Sequence, residues 1–321
     1  MPEIHGHRGA RALRPENTLP GLAHALAIGV DAVEFDVTLT ADSGLIVAHD
    51  LTADATTIRD TQPSAAGDPL FPYVGKPWSA LTLAQIKTLD AGHRQPPDPF
   101  GDTLEAVPAT GVPTLDQVCR LITESGADQV MLSVELKTRP SWRPKDVRAL
   151  TESALRILAA HDLNGRARIL GFDWRVLEFA QAANPMVPRV ALVEPTTWVT
   201  GSAWLAGRDP SDYQEHSGSA TGCAAAARDL GAAWLSPWDA MVRPELVAAA
   251  RSLRMGVIVW TVNNEDRMAE LAELGVDGIV TDRPDLLRSV LGERGDALPP
   301  PCELPWAGGV PGWAPHPPPI T

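Results

Sequence analysis

The chain has 321 residues and a formal charge of -13, with 44% hydrophobic and 21% charged residues. That is enough for one large α/β domain or two smaller ones, and the proportions are ordinary for a globular enzyme. The acidic balance argues against nucleic acid as a partner, because polyanion binding depends on basic patches. Cys119, Cys223 and Cys302 lie far apart and form no metal-type pair, and an odd number precludes a complete intramolecular disulfide set.

The opening Met1-Pro2-Glu3-Ile4-His5 runs straight into a strand, without a basic-then-apolar leader. No apolar run is long enough to span a bilayer, so stable membrane insertion is not expected. A cytoplasmic location is the expectation, with a periplasmic or secreted one open if a leader has been removed. From there, strand-length apolar runs alternate with helical patterns. Strands are expected at Glu3–Gly9, Ala32–Leu39, Val130–Leu136, Arg168–Phe172, Arg189–Val193, Ala233–Ser236, Gly256–Val262 and Gly278–Thr281. A further short strand is expected within Gly44–Asp50. Amphipathic or Ala-rich helices are expected at Thr18–Ile28, Thr114–Glu124, Lys145–His161, Trp174–Ala183, Gly222–Leu230, Arg243–Arg254 and Glu265–Leu274.

This alternation predicts a (β/α)8 TIM barrel, with a doubly wound sheet as the runner-up; no Gly-rich phosphate fingerprint follows the first strand. The expected barrel domain covers residues 1–293, followed by a Pro-rich tail at 294–321. Residues 51–112, rich in Pro, Gly, Asp and Thr, are too long for a simple loop after the second strand. They read as an insertion capping the face that carries the motifs. A second long connection, Pro195–Thr221, brings Trp198, Trp204 and Tyr213 and is expected to line a substrate pocket.

Chemistry concentrates in the first fifty residues. Glu34 and Asp36 are two apart on a buried strand, so they point to the same side, a costly arrangement unless a cation neutralises them. His7 and His49 sit at strand ends nearby. Glu135 and Lys137 end the third strand, Trp260 and Asn263 end the seventh, and Asp282 ends the eighth. In a barrel all of these lie at the C-terminal face, where active sites form.

The ordered set His7-Arg8-Gly9, Pro15-Glu16-Asn17-Thr18, Glu34-Phe35-Asp36-Val37, His49-Asp50, Glu135-Leu136-Lys137, Trp260-Thr261-Val262-Asn263 and Gly275 through Asp282 resembles the glycerophosphodiester phosphodiesterase family. The likeness runs from His5 to about Pro284. It implies a metal-containing (β/α)8 barrel that cleaves glycerophosphodiesters to sn-glycerol 3-phosphate and an alcohol. It also implies Glu34, Asp36 and Glu135 as ligands of a divalent cation, His7 and His49 as the acid/base pair, and Arg8 on the phosphate. All-carboxylate ligation suits Mg²⁺ or Ca²⁺.

Lys137 is expected at the phosphate or behind the ligands, and Trp260 on the substrate wall. Glu16 is expected to hold a site residue, Asn17 to cap the first helix or support the site, and Asp282 to orient a neighbour or pair with Arg283. His5, deeper on the His7 strand face, reads as packing or support. The expected partner is a small glycerophosphodiester, with the oligomeric state left open. Competing readings are a phospholipase-D-like lipid phosphodiesterase on the same barrel, which would need an apolar rim and membrane contact, and a catalytically silent barrel binding a phosphate or sugar.

Overall fold

A computed structural model describes residues 1–93, 100, 103–213 and 219–304, with only the backbone at 219 and 220. Its frame is a barrel of eight parallel strands: β1 (Glu3–Gly6), β2 (Ala32–Leu39), β4 (Met131–Leu136), β5 (Ala167–Gly171), β6 (Arg189–Val193), β7 (Trp234–Pro237), β8 (Gly256–Val259) and β9 (Gly278–Thr281). Each pairs with the next, and β1 pairs with both β9 and β2, which closes the ring. The short β3 (Leu45–Val47) pairs antiparallel with the end of β2.

Helices α1 (Leu19–Ile28), α3 (Leu115–Glu124), α4 (Pro144–Ala160), α5 (Trp174–Ala183), α6 (Ser219–Asp229), α7 (Pro244–Ser252), α8 (Glu265–Leu274) and α9 (Pro284–Glu293) form the outer layer. Strand side chains that face outward pack against them: Ile4, Val33, Phe35, Val37, Leu132, Val134, Ile169, Ala191, Val257 and Ile279 are buried in one continuous cluster with the helices.

Several expected strands end earlier in the structure. The first stops at Gly6, because Arg8 (φ 49°) and Gly9 (φ 89°) take left-handed backbone and turn the chain across the barrel mouth. The seventh parallel strand stops at Val259 and the fifth-element strand at Gly171, so Trp260 and Phe172 stand at the rim. Helix α9 was outside the expected set; Pro284 at its first turn and the Leu287/Leu291 spacing mark it.

Residues 51–112 build a small core of their own. Tyr73, Trp78, Leu81, Ile86 and Leu89 bury together with Ile46 and Ala48 from the β3 hairpin, and a short α2 (Leu83–Ile86) is held by a capping box between Thr82 and Gln85. Trp78 Nε1 donates to the Asp50 carbonyl at 2.7 Å, which ties this core to the segment carrying His49.

At the other end of the barrel, the chain after α9 crosses below α1. Arg288 Nη1 donates to the carbonyls of Gly29 and Pro299, and Cys302 N donates to the Leu26 carbonyl. The rest of the Pro-rich tail, with Trp306 and Trp313, lies outside the described residues. All three cysteines are free thiols. Among the described residues no helix is long and apolar enough to cross a membrane.

Candidate active site

Side chains alternate along a strand, so the inward positions of β1 are Glu3 and His5, with His7 just past its end, those of β2 are Glu34 and Asp36, and those of β4 are Ser133 and Glu135. The register places Glu34 beside Ser133 and Asp36 beside Glu135. The resulting cavity, about 160 Å³, opens at the C-terminal ends of the strands. Its charged side carries His7, Arg8, Arg11, Glu34, His49, Glu135 and Lys137, and its apolar side includes Leu170, Phe172, Leu192 and Trp260. A larger cavity, about 670 Å³, lies at the opposite face between the 297–303 segment and the turn before β4, and none of the motif residues line it.

One carboxylate oxygen each from Glu34, Asp36 and Glu135 lie within 4.8 Å of one another, and all three side chains are buried. Lys137 Nζ meets two of them, at 2.6 Å from Glu135 Oε1 and 3.2 Å from Asp36 Oδ1. Burial opposes the charge on Asp36, but Lys137, His49 and Arg8 hold its carboxyl well below the usual range. Glu34 is different. Burial first, then the neighbouring Asp36 and Glu135, push its carboxyl well above the ordinary value. Its contacts are the Arg8 backbone amide at 2.9 Å and His7 Nε2 at 3.9 Å. The arrangement fits a hard divalent cation: the donors are all oxygen, their spacing suits ion–oxygen distances of about 2.0–2.6 Å, and a buried carboxylate lacks a full counter-charge.

His7 is fixed from behind. Its Nδ1 lies 2.5 Å from Asp282 Oδ1, and Asn263 Nδ2 donates to Asp282 Oδ2 at 2.7 Å. Burial opposes ionisation of Asp282, yet His7, Arg11 and Asn263 keep its carboxyl below the usual range. An ionised Asp282 only accepts, so Nδ1 carries the hydrogen and Nε2 is turned toward the cavity. Burial and then Arg8 lower the His7 pKa, against the pull of Asp282. His49 also lines the cavity, with Nδ1 3.1 Å from Asp50 Oδ1.

Arg8 donates to Glu16 Oε1 at 2.6 Å, and its Nε is 3.4 Å from Asp36. Burial works against the charge on Glu16, but Arg8 and Arg11 together hold its carboxyl far down. Glu16 is thus the clamp for Arg8. Asn17 does not cap α1: Thr18 does, accepting from Gly21 N. Asn17 (φ 55°) instead brackets Asp36, donating to Oδ2 at 2.8 Å and accepting from its backbone amide at 3.2 Å. Arg283 pairs with Asp285 rather than with Asp282. Trp260 lies on the cavity wall, edge-on to Phe172 at 5.4 Å, with its Nε1 donating to the Ser236 carbonyl.

The expected role of Pro195–Thr221 at the cavity is not met by its aromatics. Trp198 is only 8% exposed and packs between Trp174 and Tyr213, with ring centroids at 6.1 and 6.4 Å. Neither Trp198, Trp204 nor Tyr213 lines the cavity. The apolar wall comes from Phe172 and Trp260, with Trp238, 41% exposed, bridged to Trp260 beside it. Phe172 and Arg11 went unnoticed as site residues in the sequence; the available signals were the position of Phe172 directly after β5 and of Arg11 in the loop that follows β1.

His5 does not reach the cavity. It is buried on the barrel floor, its Nε2 2.8 Å from Glu3 Oε2, while Arg168 clamps the same carboxylate from across the barrel at 2.6 and 2.8 Å.

A (β/α)8 barrel whose open end gathers three carboxylates, two imidazoles, two guanidiniums and an ammonium around a small cavity is a hydrolytic barrel suited to an anionic ester. The profile of the glycerophosphoryl diester phosphodiesterase family matches residues 7–286. The chain is 26% identical over 302 residues to the glycerophosphodiester phosphodiesterase of Caldanaerobacter subterraneus, covering 91% of this chain and 98% of that one. It superposes with a TM-score of 0.78 and 28% identity on a protein of Silicibacter pomeroyi provisionally assigned as a glycerophosphoryl diester phosphodiesterase, covering 93% and 95% of the two chains. An Oleispira antarctica phosphodiesterase solved with sn-glycerol-3-phosphate has the same fold, at a TM-score of 0.64 and 22% identity over 91% of this chain and 97% of that one. The chain belongs to the glycerophosphoryl diester phosphodiesterase family.

Proposed function

We propose that the protein hydrolyses glycerophosphodiesters to sn-glycerol 3-phosphate and an alcohol, with a divalent cation held by Glu34, Asp36 and Glu135, in the cytoplasm and with residues 1–293 as the catalytic unit. The observation that carries the reading is the pair of imidazoles, His7 and His49, lining one cavity together with a three-carboxylate cluster, with His7 Nε2 directed inward by Asp282. The product complex of the Oleispira enzyme agrees with it. A diester phosphate is an unreactive anion, and hydrolysis piles further charge on its non-bridging oxygens. When bound, Mg²⁺ or Ca²⁺ supplies positive charge against those oxygens.

Arg8, clamped by Glu16, adds a fixed guanidinium on the same side. Lys137 balances Asp36 and Glu135 and keeps the cluster from being wholly anionic. One imidazole takes a proton from the attacking hydroxyl and the other delivers one to the leaving alkoxide, a division that suits histidine at neutral pH. Leu170, Phe172, Leu192 and Trp260 give the rest of the substrate a dry wall. The test is a coupled assay for released glycerol 3-phosphate across choline, ethanolamine, glycerol and inositol diesters, with and without chelator. Cation-dependent release is expected; no release from any diester would overturn the reading.

A further inference from the structure

The loop after β1 carries a second arginine for which the catalytic roles above leave no task. Arg11 lines the cavity, with 19% of its side chain exposed. Its Nε donates to Glu16 Oε2 at 2.8 Å, and its Nη1 lies 3.6 Å from Asp282 Oδ2. The remaining oxygen of each carboxylate is committed to a residue of the proposed machinery. Glu16 Oε1 accepts from Arg8 at 2.6 Å, and Asp282 Oδ1 accepts from His7 at 2.5 Å. Two carboxylates have no attraction of their own, and the guanidinium of Arg11 lies between them, one on the Arg8 side of the site and the other on the His7 side.

The insertion holds that guanidinium from outside. Arg11 Cζ lies 5.0 Å from the centre of the Phe100 ring. Just beyond, Thr103 Oγ1 donates to the Ala12 carbonyl at 2.8 Å, Glu105 N to the Leu13 carbonyl at 3.0 Å, and Arg14 pairs with Glu105 at 2.7 Å. The loop that carries Arg11 is therefore strapped to the insertion from Arg11 to Arg14.

We infer that Arg11 is a positioning residue that couples Arg8 to His7 through Glu16 and Asp282, and that the insertion acts on the site by fixing Arg11 beneath Phe100. The inference rests on the roles proposed above for Arg8 and His7. Arginine suits the task because separate nitrogens of its fork meet the two carboxylates, Nε at Glu16 and Nη1 at ion-pair distance from Asp282, which a single lysine ammonium does not reproduce. Loss of Arg11 leaves Asp282 Oδ2 to Asn263 alone and removes the cation that Glu16 shares with Arg8, so both Arg8 and His7 lose definition. Because Arg11 acts through these two groups, the loss falls alike on every diester, whatever its alcohol.

The experiment uses the full chain with Arg11→Ala, Arg11→Lys and Phe100→Leu, assayed on glycerophosphocholine and on an aryl phosphodiester. Arg11→Ala should lower turnover about 10–100-fold on both substrates, the scale of a misplaced catalytic group. Free guanidinium ion should restore part of it, and Arg11→Lys should recover less than its retained charge suggests. Glu16→Gln and Asp282→Asn should combine with less than the product of their separate losses in wild type, and with the full product when Arg11 is Ala.

Unchanged turnover, a loss confined to one substrate, or full multiplication in both backgrounds would overturn the inference. If Arg11→Ala does not fold, Phe100→Leu and Arg11→Lys carry the comparison, with a loss on both substrates expected and wild-type turnover overturning the coupling. If the wild type cleaved no diester, the proposed function would fail by itself. Calorimetric titration with inorganic phosphate would still decide the coupling: weaker binding by Arg11→Ala supports it, and equal binding overturns it.

Discussion

Lys137 Nζ stands 2.6 Å from Glu135 and 3.2 Å from Asp36, so one ammonium is shared by two of the three carboxylates while Glu34 is met by a backbone amide. Lys137 and Arg8, the latter shared with Glu16, leave the three carboxylates short of positive charge. Removing the cation should therefore abolish turnover and lower the thermal midpoint, and Mg²⁺ or Ca²⁺ should restore both. Glu135→Ala should lose metal affinity first, with excess cation recovering part of the activity. Full turnover after dialysis against chelator, with metal removal checked by elemental analysis, would count against the assignment.

The two imidazoles should separate from their supports by the size of the loss. His7→Ala and His49→Ala should each cut turnover by roughly 10²–10⁴ while the circular dichroism spectrum stays unchanged. Asp282→Asn keeps the shape but no longer holds the Nδ1 hydrogen, and should lose roughly 10–100-fold, the scale typical of partners that orient a histidine. A histidine variant with near-normal turnover on natural diesters would remove it from proton transfer.

The barrel floor gives a pH signature independent of the site. Burial opposes ionisation of Glu3, but hydrogen bonds from His5 and Arg168 bring its carboxyl down from 4.5 to about 2. A depressed folded-state value means that the contribution is complete above the unfolded-state value and is lost as pH falls toward 2. Glu3→Gln should thus destabilise the protein by about 2 kcal/mol at pH 7, a figure reduced for partial exposure. Urea unfolding should show the gap between wild type and variant closing between pH 4.5 and 2; a gap independent of pH would assign the loss to packing.

Alcohol preference should follow the aromatics that the fold brings to the mouth. Trp238→Ala is expected to change the ratio of kcat/KM between choline and glycerol diesters, since an exposed ring attracts a quaternary ammonium by about 0.5–2 kcal/mol. Trp198→Ala should leave that ratio alone and cost about 3 kcal/mol of stability through the cavity it leaves. The reverse pattern in parallel kinetic and melting measurements would return specificity to the Pro195–Thr221 connection.

Local chemistry was legible in the amino-acid sequence because it is written in short-range pattern. Strand alternation puts Glu34 and Asp36 on one side, apolar periodicity delimits eight strands and most of the helices, and the ordered motifs around His7, His49 and Glu135 name the class of reaction. What long-range packing decides was not legible there. Trp198 and Trp260 both stand near strand ends, yet one is enclosed by Trp174 and Tyr213 and the other faces the cavity, and only the closed barrel sets that difference. Asp282 finds His7 across 275 residues of sequence, and Arg11 finds Glu16 and Asp282 together, because β9 pairs with β1 and closes the ring. Residue types and spacing specify which groups a strand end carries; which of them meet depends on strand register and closure, where each contact is chosen by the whole barrel at once.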